Sequence, residues 1–290
     1  MKKILIVGAN GYVGTRLYDE LEKNKINVTG IDNFIRKDID HFNSKVQNIN
    51  YQDLDKSSTN DYTDCIWLSG YSSVVESEKN QREAFFNNFV DLVKFYHSFE
   101  GRFIYASSGS VYSRDVPELC NESSQTSQPQ NIYDYTKLAF DNYLISTKSD
   151  AIGLRFGTVN GPGNNMKKEL MLNAMVLSGL KNNKIVLKNE NFHRPILGIE
   201  DLINGIIKIT HSDIKGGIFN MCSFNTSIGD LAKKISQILN VEIDNQGSTE
   251  TYNFVMNNDK FERTFDFTFT ETIESIVNSL VSHYDSLDSK

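Results

Sequence analysis

The sequence predicts an α/β protein built on a doubly wound parallel sheet, with a smaller C-terminal cap. Three observations predict it. Short apolar runs alternate with segments of helical periodicity six times up to Phe156. The first run passes straight into a glycine-rich turn. After Phe156 the composition changes without a low-complexity linker or an internal repeat, so the second half should pack directly on the first.

Lys3 to Val7 is a short continuous apolar run, as expected of a strand buried on both faces. The preceding Met1-Lys2-Lys3 imitates the start of a signal peptide, but Gly8 and Gly11 interrupt the run too early and no small-residue cleavage site follows. Gly8-Ala9-Asn10-Gly11-Tyr12-Val13-Gly14 comes next, then helical periodicity from Thr15 to Lys23 and a second apolar run, Asn27 to Ile31, ending in Asp32. This strand–turn–helix–strand–acid order is that of a Rossmann-type dinucleotide site. Glycine admits the pyrophosphate to the backbone, the helix N-terminus carries partial positive charge toward it, and the acid accepts from the ribose hydroxyls. A carboxylate at Asp32 would repel a 2′-phosphate and so favours NAD, while Arg36 nearby keeps NADP open.

A third strand is expected over Ile49 to Tyr51, ending at Asp53-Leu54, and a fourth over Cys65 to Leu68, ending in Ser69-Gly70. Helical periodicity from Glu78 to His97 carries an aromatic stripe that reads as core packing. The fifth strand, Arg102 to Ala106, runs into Ser107-Ser108-Gly109-Ser110-Val111-Tyr112. A polar loop over Glu118 to Gln130 precedes the helix of Tyr133-Asp134-Tyr135-Thr136-Lys137, and Ala151 to Phe156 is the sixth strand. Beyond it a loop, Gly157 to Gly163, leads to a helix over Leu170 to Leu180 and a strand over Ile185 to Leu187. A strand over Ile218 to Met221, a helix over Ser227 to Leu239 and an amphipathic helix over Phe267 to Tyr284 complete the chain. The expected division is a dinucleotide domain over residues 1–157 with a return segment near 196–222, and a cap over 158–195 and 223–290.

Tyr133 and Lys137 stand one helical turn apart on one face. With the Ser108 hydroxyl at a strand end, they form a group that can remove a proton from an alcohol. A phenol ordinarily titrates at about 10, so a base working at neutrality needs roughly 4 kcal/mol of differential stabilisation of its anion. The Lys137 ammonium and an oxidised nicotinamide ring are two cations able to supply it.

The formal charge of −7 gives a nucleic acid no basic footprint, and no apolar run is long enough to span a membrane. Cys65, Cys120 and Cys222 are far apart and odd in number, which predicts reduced thiols in a cytoplasmic protein, and neither they nor the five histidines have metal-ligand spacing.

These motifs in this order resemble the extended short-chain dehydrogenase/reductases, in particular the NAD-dependent nucleotide-sugar epimerase/dehydratase group. The resemblance also takes in Asp32-Asn33, Leu154 to Pro162, His193-Arg194-Pro195, Glu200-Asp201-Leu202 and Phe219-Asn220. It implies that Ser108, Tyr133 and Lys137 are catalytic. It implies NAD contacts from Gly8, Asn10, Gly11, Tyr12, Val13, Gly14, Asp32 and Asn33. Asp53 and Leu54 would meet the adenine, and Leu68, Ser69, Gly70, Asn88 and Phe156 would line the cofactor. On the substrate side it implies Ser108, Ser110 and Thr158, with Asn173 and Arg194 on the phosphates of a nucleotide-diphosphate sugar. It further implies a homodimer through helices equivalent to Glu78–His97 and Ile132–Thr147.

The departures are informative. Gly109-Ser110 stands where 4,6-dehydratases resembling this chain carry an acidic pair, so water elimination lacks an agent there. No cysteine of the fucose-synthase-like members is present near the serine. Glu250-Thr251-Tyr252 lacks the arginine that often precedes such a tyrosine, and Gly198 stands in place of a frequent histidine. The activity implied is 4-epimerisation through a transient 4-keto sugar. A one-way 4-ketoreductase, 4-dehydrogenase or decarboxylase is the alternative, and an NAD-binding regulatory protein of the same fold is the non-enzymatic one.

Overall fold

The computed structural model describes residues 2–35, 41–113, 118–147 and 149–288. Seven parallel strands form the central sheet, in the spatial order Gly217–Met221, Ile152–Phe156, Arg102–Ser108, Asp64–Trp67, Lys3–Val7, Asn27–Asp32 and Gln47–Asn48. Because side chains alternate along a strand, each apolar run feeds two cores. Ile4, Ile6, Ile66 and Ile104 face one, and Leu5, Val7, Cys65, Trp67, Phe103 and Tyr105 face the other. Helices Tyr12–Lys23 and Ile199–Thr210 cover the first face. Helices Asp91–Ser98 and Ile132–Ser146 cover the second. Leu17 and Leu21 of the first helix are fully buried, each contributing about 1.5–3 kcal/mol.

The strand Gly217–Met221 returns from the C-terminal half to pair with Ile152–Phe156. The remaining C-terminal elements form smaller units. His193–Gly198 lies between Thr158–Asn160 and Phe224–Ser227, while Lys184–Leu187 pairs with Glu242–Asn245. Val176, Ile185, Leu231 and Ile276 belong to the same apolar cluster as Ile4 and Ile6, so the two halves share a continuous core.

Several boundaries differ from the sequence reading. The third strand is Gln47–Asn48, not Ile49 to Tyr51, because the Asn50 side chain accepts from Gln52 N (3.2 Å) and turns the chain into a single 3-10 turn, Tyr51–Asp53. The expected Glu78–His97 helix is broken into Val74–Lys79, Gln81–Phe85, a π turn Phe86–Val90 and Asp91–Ser98. Part of the expected loop after Phe156 is the strand Thr158–Asn160. The last helix starts at Ile273: Asp266 (φ +48°) ends a preceding helix, and Thr270 and Glu271 give their N–H groups to Asp201. The strand His193–Gly198 and helix Ile199–Thr210 were legible only as short motifs.

Candidate active site

The glycine turn is compressed between the first two strands and the fourth. Gly8 takes φ +88°, and a Cβ there would lie 2.7 Å from Ser69 N. At Gly14 a Cβ would lie 2.2 Å from Gly8 O, which lets the first helix start directly over the turn. Gly11 caps that helix with no side-chain hydrogen bond, and the first turn contains no acid. A Cβ at Gly11 would meet only Gly8 O at 3.4 Å, so this surface of the turn is backbone alone. Helix N–H groups presented in this way suit a pyrophosphate.

Asp32 accepts from Asn10 N (3.0 Å) and Phe34 N (2.8 Å). Those bonds fix the carboxylate and leave further lone pairs for ribose hydroxyls. Asn33 closes the same turn by accepting from Ile35 N (3.3 Å). Across the cradle Gly70 presses on Asn88, which also accepts from Tyr71 N (2.8 Å) and donates to Tyr71 O (3.0 Å). Tyr12 and Val13 begin the first helix, with the Tyr12 hydroxyl donating to Gly161 O at 2.6 Å. Leu68 is half-buried beside Ser69 at the end of the fourth strand. Asp53 is exposed on its 3-10 turn, and half-buried Leu54 packs on the second core. Arg36 lies outside the described residues. The turn, Asp32 and the Asn88 wall together fit a dinucleotide.

Ser108, Tyr133 and Lys137 meet at the C-terminal edge of the sheet, the edge from which the glycine turn also emerges. Ser108 ends its strand opposite Phe156 and caps the turn Gly109–Tyr112, accepting from Ser110 N at 3.2 Å. Lys137 is buried, and its Nζ donates to Ala106 O (2.8 Å) while lying 5.8 Å from the centroid of the Tyr133 ring. Burial pushes the Tyr133 phenol up to about 12, the Ser108 hydroxyl opposes this, and the neighbouring Asp134 carboxylate adds to it. Burial therefore outweighs the Ser108 hydroxyl at Tyr133, while the Lys137 ammonium, bonded to Ala106 O, keeps its charge and two further N–H donors. Burial also lowers Lys137 to about 8, against the pull of Asp141, and Lys167 adds to the lowering.

A hydrogen-bonded chain that the sequence reading missed starts at the serine. Ser108 Oγ contacts Ser110 Oγ (2.8 Å), and Ser110 Oγ donates to Asp134 Oδ1 (2.5 Å). The other oxygen of Asp134 accepts from Tyr252 Oη (2.8 Å) and Asn131 Nδ2 (2.7 Å). The one sequence signal for Asp134 was its place three residues after Asn131, the N-cap whose Oδ1 accepts from Asp134 N (2.9 Å).

On the far side of Tyr252 stands Arg194. It is 8 % exposed and makes no ion pair among the described residues. Its guanidinium donates to Thr251 Oγ1 (2.8 Å) and His193 O (3.1 Å), lies 5.8 Å from the Tyr252 ring centroid, and is lowered to about 10 by burial. Thr251 and Tyr252 thus lie against Arg194. Thr158 is half-buried and pairs with Ile196 on the strand beside Arg194. Asn173, expected on the phosphates, is instead fully buried. Its Oδ1 accepts from Gly161 N (2.9 Å) and its Nδ2 donates to Lys167 O (3.0 Å), so both ends of the amide hold backbone. Among the described residues no cluster of three metal-ligating side chains occurs.

The chain is 27 % identical over 263 residues to ADP-L-glycero-D-manno-heptose-6-epimerase of Brachyspira hyodysenteriae, covering 81 % of this chain and 80 % of that one. The fold is shared with TunA, an NAD-dependent NDP-hexosamine 5,6-dehydratase of tunicamycin biosynthesis (TM-score 0.86, 18 % identity, 99 % and 98 % covered). It is shared equally with UDP-glucuronic acid 4-epimerase of Bacillus cereus (TM-score 0.85, 20 % identity, 98 % and 99 % covered). The NAD dependent epimerase/dehydratase model matches residues 4–222, a span that includes the glycine turn, Asp32, Ser108, Tyr133, Lys137 and Arg194. The chain therefore belongs to the NAD dependent epimerase/dehydratase family and is an enzyme whose cofactor is NAD.

Proposed function

We propose that the chain is a nucleotide-sugar 4-epimerase that passes through a transient 4-keto sugar. The observation that carries this reading is the meeting of Ser108, Tyr133 and Lys137 beside the dinucleotide cradle, with the buried Arg194, which makes no ion pair among the described residues, on the cap side. Bound NAD would supply reversible hydride acceptance at the sugar carbon. Tyr133 Oη takes the proton of the sugar hydroxyl and later gives it back, and Ser108 Oγ hydrogen-bonds the same oxygen as hydroxyl and as ketone. Lys137 orients the nicotinamide ribose and adds positive charge near the phenol. The backbone of Gly8, Asn10, Gly11, Val13 and Gly14 would hold the pyrophosphate. Asp32 and Asn33 would hold the adenosine ribose, and Asp53 and Leu54 the adenine. Leu68, Ser69, Gly70, Asn88 and Phe156 would line the nicotinamide end.

Arg194 would bind the diphosphate of the nucleotide-sugar, with Ser110 and Thr158 toward the sugar. A buried guanidinium without a carboxylate partner is suited to phosphate oxygens. Residues 158–195 and 223–290 would form the cap that binds this substrate, over a dinucleotide domain of 1–157 and 196–222. The relatives named above support the substrate class, since they are named for nucleoside-diphosphate sugars.

Dehydration remains disfavoured. Gly109 and Ser110 supply no carboxyl group at this position, and Gly109 packs against the Met256 side chain. Asp134, the nearby carboxylate, spends both oxygens on Ser110, Tyr252 and Asn131.

A homodimer is part of the same proposal. Phe86, Tyr135 and Ile145 are 43 %, 50 % and 58 % exposed on the helices that the family resemblance assigns to the dimer face. The burial of Cys65, Cys120 and Cys222 supports a reducing, cytoplasmic setting. Among the described residues no helix is long and apolar enough to cross a membrane.

The test is product analysis with UDP-glucose, UDP-glucuronic acid and an ADP-heptose, without added cofactor. The proposal expects an epimer with no net NADH. It expects Tyr133→Phe to lose about 10²–10⁴-fold in kcat while still binding NAD. Turnover only on addition of NADH, consumed in proportion to product, would instead assign a one-way reductase.

A further inference from the structure

We propose that Asp134 is a positioning residue of this site: acting through Ser110, its carboxylate sets the direction in which the Ser108 proton points in the substrate-free site and thereby favours the protonated form of Tyr133. The inference rests on Tyr133 being the base.

Counting protons along the chain gives the direction. Each hydroxyl has one proton and an ionised carboxylate has none. Ser110 must therefore spend its proton on Asp134 Oδ1, at 2.5 Å. Its own oxygen is then the acceptor at 2.8 Å, so the Ser108 proton points toward Ser110 and away from the phenol. Ser110 N–H approaches the Ser108 oxygen from behind at 3.2 Å, leaving that oxygen as an acceptor for the Tyr133 O–H. The Ser108 hydroxyl lowers Tyr133 to the extent that it donates to it, and the ionised Asp134 limits that donation, so burial prevails. A neutral group at position 134 that donates to Ser110 reverses the chain: Ser110 then donates to Ser108, and Ser108 to the phenolate or the sugar oxygen.

The arrangement is built to keep Asp134 in place. The residue is 3 % exposed, and its second oxygen is held by Tyr252 and Asn131. Tyr252 comes from the C-terminal half and packs against Arg194, so the chain ends beside the residue assigned to the substrate phosphates. Among the described residues, the titratable and charged groups facing the Tyr133–Asp134 pair are Lys137 from the same helix, Tyr252 across from it, and Arg194 beyond Tyr252. None of them explains the order of the hydroxyl chain, which follows from Asp134 alone.

The experiment is a spectroscopic titration of phenolate absorbance in the NAD-loaded protein, with the Tyr133 step defined as the absorbance lost in Tyr133→Phe. Asp134→Asn removes the charge and supplies a donor, and Ser110→Ala keeps the charge but cuts the chain. Both should move the Tyr133 midpoint to lower pH, Asp134→Asn by about one pH unit and Ser110→Ala by less, with NAD binding and circular dichroism unchanged. A Tyr133 step that neither variant moves overturns the inference, as does one that shifts in Asp134→Asn but not in Ser110→Ala, since charge through space would then suffice. If Tyr133→Phe removes no step and keeps full turnover, the base assignment itself fails, a result distinct from either.

Discussion

Glu271 shows how one side chain can tie a glycine, a helix end and a pH dependence together. Its Oε2 accepts from Glu200 N (2.9 Å) and Asp201 N (3.1 Å) at the start of the Ile199–Thr210 helix. It also occupies the space a Cβ at Gly198 would take, 1.9 Å away. The glycine that stands in place of a histidine is thereby explained: a side chain there would expel Glu271. Burial pushes the Glu271 carboxyl from 4.5 up to about 7, assisted by the charges of Asp201 and Glu200 and opposed by the two N–H bonds. A carboxyl raised by folding stabilises the fold in its protonated form. That contribution is complete below its ordinary value and is lost as pH rises through 7. Melting temperature should therefore fall between pH 5 and pH 8 more steeply in the wild type than in Glu271→Gln, which keeps an acceptor for both N–H groups. Parallel curves for the two proteins would refute this.

The same scale shows what the sequence could reveal. Ser108, Tyr133 and Lys137 were recognisable because their spacing and a strand end force them together. Asp134 stood in the same motif without a visible role, since its partner Tyr252 lies 118 residues away and only the folded chain joins them. Asn173 shows a related limit: an amide near a ligand site and an amide that ties down a loop look alike in the sequence, and only the folded chain shows it holding Gly161 N and Lys167 O.

Among the elements, the helix Ile132–Ser146 does most to place the site, and it is anchored from both sides. Asn88, on the π turn, approaches Thr136 Oγ1 at 3.4 Å, one residue before Lys137. One turn further on, Asp141 accepts from Tyr105 Oη (2.5 Å) and from Arg155 Nε (2.7 Å). Arg155 extends the network to Tyr112, which donates to Asn220 at 3.0 Å. Side-chain exposure of the Arg155–Asp141 pair is 3 % and 0 %, so Asp141→Ala leaves a guanidinium buried without its counter-charge. We expect a loss of about 3–5 kcal/mol in chemical denaturation, and a loss below about 1 kcal/mol would show that water replaces the carboxylate. None of this network was legible from periodicity, which reports which residues are buried but not which polar groups pair. The break in the Phe86–Val90 segment was hidden for a similar reason, because the apolar stripe of Phe85, Phe89 and Leu92 continues smoothly through it.

For the whole molecule, the strand–helix alternation was sufficient to give the parallel sheet, since each strand buried on both faces reads as a continuous apolar run. The C-terminal half was harder. Its strands are short, and the decisive strand–helix pair His193–Thr210 lies in a run where Gly198 and Pro195 obscure the pattern. The exposed Phe86 and Tyr135 bear on assembly: in the proposed homodimer, Phe86→Glu with Tyr135→Glu should halve the mass seen by light scattering while the circular dichroism stays native. A wild type already monomeric at micromolar concentration would contradict the assignment of this face.

The central claim is that Tyr133 serves a hydride removed from and returned to C4 of a nucleotide sugar. It is tested most directly by following deuterium placed at C4 of UDP-glucose or UDP-glucuronic acid through turnover without added cofactor. The account predicts an epimer that keeps the label at C4, formed by the wild type and abolished in Tyr133→Phe. Label lost to solvent, or an epimer formed at the wild-type rate by Tyr133→Phe, would contradict it.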